Sequence, residues 1–193
     1  MEINCYDFDN TIYNGDSTVD FYWYCLKRKP YIILSIPIQL YGIIGYKLGV
    51  CSKTKMKENF FSFVRLIPNI EKLLKKFGEV HRHKLKKWYL EKDHRHDVII
   101  SASPVFIIKS LIAGITVLDI IASDTSERTG KFLRPNCYGE EKVKRFREKF
   151  PANCFEIKQF YSDSISDLPL ARIAKESYLV NDNTISKWNI AEN

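Results

Sequence analysis

Two aspartates one residue apart, Asp7 and Asp9, stand at the end of the first apolar run, in Cys5-Tyr6-Asp7-Phe8-Asp9-Asn10-Thr11. The run from Ile3 to Phe8 reads as a short buried strand, and Asn10 and Gly15 read as loop residues. Side chains at i and i+2 leave a strand on the same side. Two carboxylates held that way repel each other unless a cation or a shared proton relieves them. One of them can attack phosphorus and split phosphoester hydrolysis into two steps. The other can protonate the leaving oxygen and then activate the attacking water. A Mg²⁺ ion, which prefers hard oxygen ligands, can hold the pair together and neutralise phosphoryl charge. Such a site also needs a third carboxylate for the metal, a hydroxyl and amides for phosphate oxygens, and a fixed cation.

Each of these has a candidate. Asp163, in Tyr161-Ser162-Asp163-Ser164-Ile165-Ser166-Asp167, follows an apolar and aromatic run and is the metal candidate. Asp167 lies about one helical turn further on and can orient a metal-bound water or the cation. Ser101, in Ile100-Ser101-Ala102-Ser103-Pro104, ends an apolar run just before a helical pattern. Its hydroxyl and the neighbouring amides, Ala102 among them, face a phosphate at a helix N-terminus. Lys142, in Gly139-Glu140-Glu141-Lys142, sits where a lysine opposes the helix dipole, a locally unfavourable placement that asks for a reason. Each also has a plainer reading. The aspartate pair can cap a turn, Ser101 and Ser103 can cap the next helix, Lys142 can be a surface lysine, and Asp167 an early-helix acid.

The elements that must position these groups alternate. After Ile3–Phe8, strands are predicted at Val98–Ser101, Thr116–Ala122, Ile157–Tyr161 and Tyr178–Val180. Helices are predicted at Pro104–Ile112, Glu140–Phe150 and Ile165–Lys175. Alternation of this kind implies an α/β fold, a parallel sheet covered on both faces. Ligands bind such sheets at the carboxyl ends of the strands, where Asp7, Ser101 and Asp163 all fall. Thr129-Gly130-Lys131 reads as a turn between short antiparallel strands near Ser123 and Phe132. Residues 16–93 differ: they hold helical patterns at Thr18–Lys27, Lys53–Leu66 and Ile70–Leu90 and read as an insert between the first and second core strands. The long Ile70–Leu90 pattern reads as a solvated lysine face (Lys72, Lys75, Lys76, Lys86, Lys87) over an apolar one. His81-Arg82-His83 and His94-Arg95-His96 read as exposed basic patches, since no carboxylate or cysteine stands at zinc-site spacing.

The 193 residues, 45% hydrophobic and 27% charged, suit one well-buried core with a small insert and exclude a disordered chain. The net charge of +7 points to anionic partners. The five cysteines are scattered without a C-x-x-C pair, which suits reduced thiols and a cytoplasmic location rather than a disulfide framework. The N-terminus shows no basic stretch followed by an apolar one, so no signal peptide is expected. No nucleic-acid module is recognisable, and net charge alone does not support that role.

The motifs taken together resemble the haloacid dehalogenase superfamily of phosphatases. Asp7-Phe8-Asp9-Asn10-Thr11 matches its D-x-D-x-T signature, and Ser101, Lys142 and the Asp163…Asp167 pair match its further motifs in order. The resemblance implies a Rossmann-like core of residues 1–15 and 94–193, with 16–93 as a helical cap like that of the phosphoserine phosphatase-like branch. It implies Asp7 as nucleophile, Asp9 as general acid and base, and Mg²⁺ held by Asp7, the Asp9 backbone carbonyl and Asp163. Ser101, Ala102 and Lys142 would bind the phosphoryl group, with Thr11 and Asp167 behind them. The substrate is then a phosphate monoester. Asn10 departs from the glycine common at that position, and asparagine tolerates a left-handed turn.

One segment bears on the leaving group. Pro30 to Tyr46 carries no charge, and Lys27, Arg28, Lys29, Lys47, Lys53, Lys55 and Lys57 flank it. A single membrane span needs about 20 apolar residues, and this run is shorter and interrupted by Pro37, Gln39 and Gly42. One crossing would also separate Asp7 from Ser101, Lys142 and Asp163. Residues 30–50 therefore read as an interfacial segment at the cytoplasmic face of a membrane, as a buried cap helix, or as a subunit contact. The apolar segment after a basic turn, with the four motifs, resembles the phosphatidylglycerophosphatase C type, which implies a lipid phosphate substrate. A phosphoserine phosphatase is the alternative: the family's cap offers a glutamate and an arginine, for which Asp16 stands near the first position and Arg65 fits the second poorly. A basic membrane- or anion-binding protein with a dormant site is the alternative of another class.

Overall fold

A computed structural model describes residues 1–190. Along the chain run β1 (Glu2–Tyr6), α1 (Ser17–Arg28), α2 (Ile36–Lys47), α3 (Lys53–Phe60), α4 (Ile70–His81), α5 (Lys87–Leu90), β2 (Asp97–Pro104), α6 (Val105–Leu111), β3 (Asp119–Ser123), α7 (Glu140–Lys149), β4 (Glu156–Ser162), α8 (Leu168–Ala171), β5 (Ala174–Asn181) and β6 (Thr184–Lys187). The strands form one six-stranded sheet in the order β3-β2-β1-β4-β5-β6. All neighbours are parallel except β6, which returns antiparallel to β5. The α/β reading of the sequence therefore holds, with β1 at the centre. Strand order reverses between β1 and β4, and the crevice above that switch point is where such sheets take their ligands.

The strand pattern explains the two cores. Ile3 and Cys5 of β1 pack with Val98, Ile100, Phe146 and Phe160 on one face of the sheet. Tyr6 points to the other face, where Phe8, Phe21, Phe77, Ile107 and Leu111 join it under the helices that follow β1. Those helices start where the sequence provides caps. Asp16 accepts from the Val19 amide at 3.0 Å to open α1, and Ser52 Oγ accepts from the Lys55 amide at 3.1 Å to open α3. Gly78 lets α4 approach α6 closely: a Cβ there would come within 1.9 Å of the Ser110 carbonyl oxygen.

Several expectations need correction. The Ile70–Leu90 pattern is not one helix. It breaks into α4, a 3-10 turn at Arg82–Lys84 and α5. The cause is tertiary: Leu85 bridges Tyr13, and the Lys86 amide donates to Ile12 O at 2.8 Å, so the chain must be extended there. Lys86 is correspondingly buried rather than solvated, its ammonium donating to the carbonyls of Asn10 and Asp182. Helix Ile165–Lys175 reduces to a 3-10 turn and α8, because β5 already begins at Ala174. Lys53–Leu66 is α3 followed by a 3-10 turn at Phe61–Leu66. Strand β6 was not expected; a turn at Asp182, with φ of 50°, leads into it. The Thr129–Lys131 turn does join an antiparallel bridge, between Thr125 and Phe132. Of the histidines, His94 is no bare surface group: its Nδ1 lies 2.9 Å from Asp97 Oδ2.

Residues 30–50 form a 3-10 turn (Pro30–Ser35) and α2. The buried-helix reading fails for most of them, since only Ile32, Ser35, Gln39 and Gly42 are buried there. No described helix is long and apolar enough to cross a membrane. All five cysteines are unpaired.

Candidate active site

The site lies at the carboxyl ends of β1, β2 and β4. Asp7 follows β1 directly, and its amide donates to Tyr161 O of β4 at 2.9 Å, which fixes the backbone as it leaves the sheet. Lys142, one turn into α7, extends its ammonium to Asp7 Oδ1 at 2.8 Å and to Asp167 Oδ2 at 2.7 Å. Ser162 Oγ donates to the same Asp167 oxygen at 2.7 Å. All four side chains are buried. Burial is the largest influence on Lys142 and works to strip its proton, but Asp7 and Asp167 outweigh it and hold the ammonium above its ordinary range. Burial likewise pushes the Asp7 carboxyl up, against the pull of Lys142. The surface-lysine reading of Lys142 is thereby excluded, and so is the simple early-helix role for Asp167.

Asp9 is held differently. Its Oδ1 accepts from the Ser17 amide at 2.7 Å, and its Oδ2 accepts from Ser103 Oγ. Ser103 Oγ also lies 3.2 Å from Thr18 Oγ1. Burial, with Asp16 adding, raises the Asp9 carboxyl, while the Ser103 and Ser17 hydrogen bonds draw it back. Donors on both oxygens orient the Asp9 carboxyl, as an acid–base group requires. Asp9 and Asp7 thus have separate partners, and the repulsion read from the sequence is relieved at Asp7 by Lys142.

The remaining predicted residues converge on the same end of the sheet. Thr11 Oγ1 accepts from the Asp163 amide at 3.0 Å, tying the first loop to the loop after β4 and leaving the Asp163 carboxylate exposed. Ser101 is buried, and its Oγ accepts from the Ser103 amide at 3.1 Å. Neither serine caps α6, which opens on Pro104 without a side-chain cap. The Ala102 carbonyl accepts from Ser123 Oγ at 3.0 Å and from Lys57 Nζ at 2.9 Å, which sets the plane of that peptide.

Lys57 escaped sequence reasoning. In the sequence it shows only as one cation of the basic flank of the apolar segment. From α3 it reaches Ala102 O and also Asn136 Oδ1 at 3.0 Å. Thr54, one turn earlier, accepts from the Asn136 amide at 3.2 Å. Burial, reinforced by Lys53, brings the Lys57 ammonium down to about 8 despite Asp9 and Asp16. The visible signal was its spacing from Thr54 on one helix face. Ser103, read only as a cap, is the other residue whose role was missed. Asp16 serves as the α1 cap, and Arg65 donates to Thr129 O at 2.9 Å.

The donor set suits a hard divalent cation. The expected ligands are two carboxylates, Asp7 and Asp163, and one backbone carbonyl, with water filling the rest, as Mg²⁺ prefers. That set needs no cluster of three acidic, histidine or cysteine side chains, and none occurs among the described residues. Asp167 Oδ1 is buried without a hydrogen-bond partner among those residues, an acceptor free for a water or ion beside Lys142.

Residues 5–172 match the family model described as haloacid dehalogenase-like hydrolase. The chain belongs to that family. No curated protein matches it significantly. Solved structures share the fold at low identity. A protein of unknown function from Bordetella pertussis Tohama I has a TM-score of 0.70 at 18% identity, covering 91% of this chain and 88% of its own. A phosphoserine phosphohydrolase-like protein from Francisella tularensis subsp. tularensis SCHU S4 has 0.54 at 14%, covering 92% and 86%. A HAD family hydrolase from Salmonella enterica subsp. enterica serovar Typhi has 0.55 at 14%, covering 90% of this chain and 60% of its own. The HAD-like hydrolase of this chain is thus built on a parallel sheet whose central strand delivers Asp7.

Proposed function

We propose that this HAD-like hydrolase is a Mg²⁺-dependent phosphomonoesterase that works through an aspartyl-phosphate at Asp7. The observation that carries the reading is the division of partners between the two aspartates. Asp7 meets the fixed ammonium of Lys142, and Asp9 is held by Ser17 and Ser103. In the first step an Asp7 oxygen bonds to phosphorus while the bond to the leaving oxygen breaks, and Asp9 gives that oxygen its proton. In the second, Asp9 takes a proton from water, the water oxygen bonds to phosphorus, and the Asp7–phosphorus bond breaks. Lys142 and the Ser101–Ala102 backbone hold phosphoryl oxygens, and Asp167 holds Lys142. Asp7, the Asp9 carbonyl and Asp163 would hold Mg²⁺, which would supply charge neutralisation.

For the leaving group, the reading favoured is a lipid phosphate such as phosphatidylglycerophosphate, in line with the resemblance to the phosphatidylglycerophosphatase C type. Residues 16–93 act in it as the cap. The phosphoserine alternative has less support: Asp16 is spent on capping α1, and Arg65 on the Thr129 carbonyl. A dormant anion-binding site is disfavoured because a buried ammonium bridging two buried carboxylates costs stability that mere anion binding does not require.

The test is hydrolysis of an aryl phosphate by purified protein with and without Mg²⁺, then a panel of phosphatidylglycerophosphate in detergent, phosphoserine and a sugar phosphate. Turnover is expected only with Mg²⁺ and is lost in Asp7→Asn. Full activity in Asp7→Asn removes the mechanism, and a strong preference for a soluble ester removes the lipid substrate.

A further inference from the structure

We infer that the outer face of residues 31–50 is a docking surface for an anionic lipid bilayer. Helix α2 is apolar nearly all round, yet most of that surface is left exposed. Its buried positions are Gln39 and Gly42, while Tyr41 is 72% and Ile44 55% exposed. Leu34 before the helix, at 73%, and Leu48 and Val50 after it, at 72% and 76%, continue the apolar face. The helix is fastened to the rest of the molecule by polar contacts. Gln39 Nε2 donates to Phe60 O at 3.1 Å, and Tyr22 OH donates to Gln39 Oε1 at 3.2 Å. At Gly42 the fit to α3 is tight, for a Cβ would meet Asn59 at 2.6 Å. The exposed apolar residues therefore contribute little to the fold, and a patch of this extent is an interaction surface.

Charge selects the occupant. No acidic residue lies between Asp20 and Glu58, while that stretch carries Lys27, Arg28, Lys29, Lys47, Lys53 and Lys55 besides the inward-turned Lys57. Among the described residues, Lys27, Lys29 and Lys47 have no carboxylate partner. A second copy docked about a twofold axis would bring the same cationic collar against itself. An anionic bilayer offers hydrocarbon to the apolar face and headgroup charge to the collar. Exposed Trp23, Tyr31 and Tyr46 suit the headgroup level, where amphipathic rings collect. At 1.5 Å per residue a helix of this length reaches roughly 18 Å, short of the about 30 Å hydrocarbon core, so it lies in the interface. Docked there, α2 holds α3, and with it Lys57, at the membrane surface. Only the further step, that the ester hydrolysed is carried on a lipid, rests on the phosphatase reading.

The experiment is co-sedimentation of the full chain with phosphatidylcholine vesicles, with or without phosphatidylglycerol, alongside analytical ultracentrifugation. The expected result is binding to the anionic vesicles, weakened by salt, and a monomer in solution. In the Leu34→Glu, Tyr41→Glu, Leu48→Glu variant binding falls by about tenfold or more, with unchanged thermal unfolding and unchanged aryl phosphate turnover. Lys27→Glu with Lys47→Glu loses binding chiefly at low salt. Absence of vesicle binding overturns the inference, as does binding that ignores these substitutions, or a dimer that they dissociate. Binding without turnover of any phosphate ester keeps the docking surface and removes the phosphatase reading instead.

Discussion

Lys142 Nζ stands 2.8 Å from Asp7 Oδ1 with both side chains buried. The pair spans 135 residues of chain and joins the central strand to α7. Removing the cation leaves Asp7 and Asp167 as adjacent uncompensated carboxylates. Lys142→Ala is expected to cost about 3–5 kcal/mol of stability, read by urea unfolding at neutral pH. The loss should shrink in acid, where the Asp7 carboxyl, raised by burial, takes up its proton. A cost that is the same at both pH values would show that lost packing, not charge, is responsible.

Ser103 is expected to matter for rate more than for folding. Its hydroxyl is one of the two donors that orient Asp9. Ser103→Ala should lower kcat by about tenfold or more with little change in KM, for about 1 kcal/mol in stability. A rise in KM alone would assign Ser103 to substrate binding.

Lys57 gives a pH dependence with a definite sign. Its ammonium is brought down to about 8 in the folded chain by burial, with Lys53 adding. Between that value and the ordinary lysine range the unfolded chain holds the proton and the folded chain does not, so stability rises with pH across this window. Relative to Lys57→Met, the wild type should gain on the order of 2–3 kcal/mol from pH 8 to above 10. Parallel unfolding curves for the two proteins across that range would contradict this.

Gly78 tests the packing of α4 on α6. Helix propensity alone predicts that Gly78→Ala stabilises by about 1 kcal/mol. The Ser110 carbonyl, 1.9 Å from where the Cβ would be, predicts the opposite. Denaturant unfolding should show a loss of about 2 kcal/mol or more.

The sheet and its ligand end were legible because the apolar runs at Ile3–Phe8, Val98–Ser101 and Ile157–Tyr161 end in the polar residues that gather at one end of the sheet. What was not legible came from contacts distant in sequence. Nothing local to Leu85–Lys86 reveals that Tyr13 and Ile12 will pull it out of a helix. Lys57 looked like one cation of a basic flank because its partners, Ala102 and Asn136, lie 45 and 79 residues away. Ser103 followed the rule for a helix cap but meets Asp9 across 94 residues of chain. The apolar character of 30–50 was plain, whereas the burial of Gln39 and Gly42 in place of the leucine and isoleucines of α2 needed the fold.

The central claim is that Asp7 carries the phosphoryl group. It is tested most directly by quenching steady-state turnover of an aryl phosphate with borohydride, which reduces an acyl phosphate to the alcohol, and sequencing the peptides by mass spectrometry. The account predicts homoserine in place of Asp7, dependent on both substrate and Mg²⁺, and absent in Asp7→Asn. Rapid turnover with Asp7 left intact, or reduction at Asp9 or Asp163 instead, would contradict it.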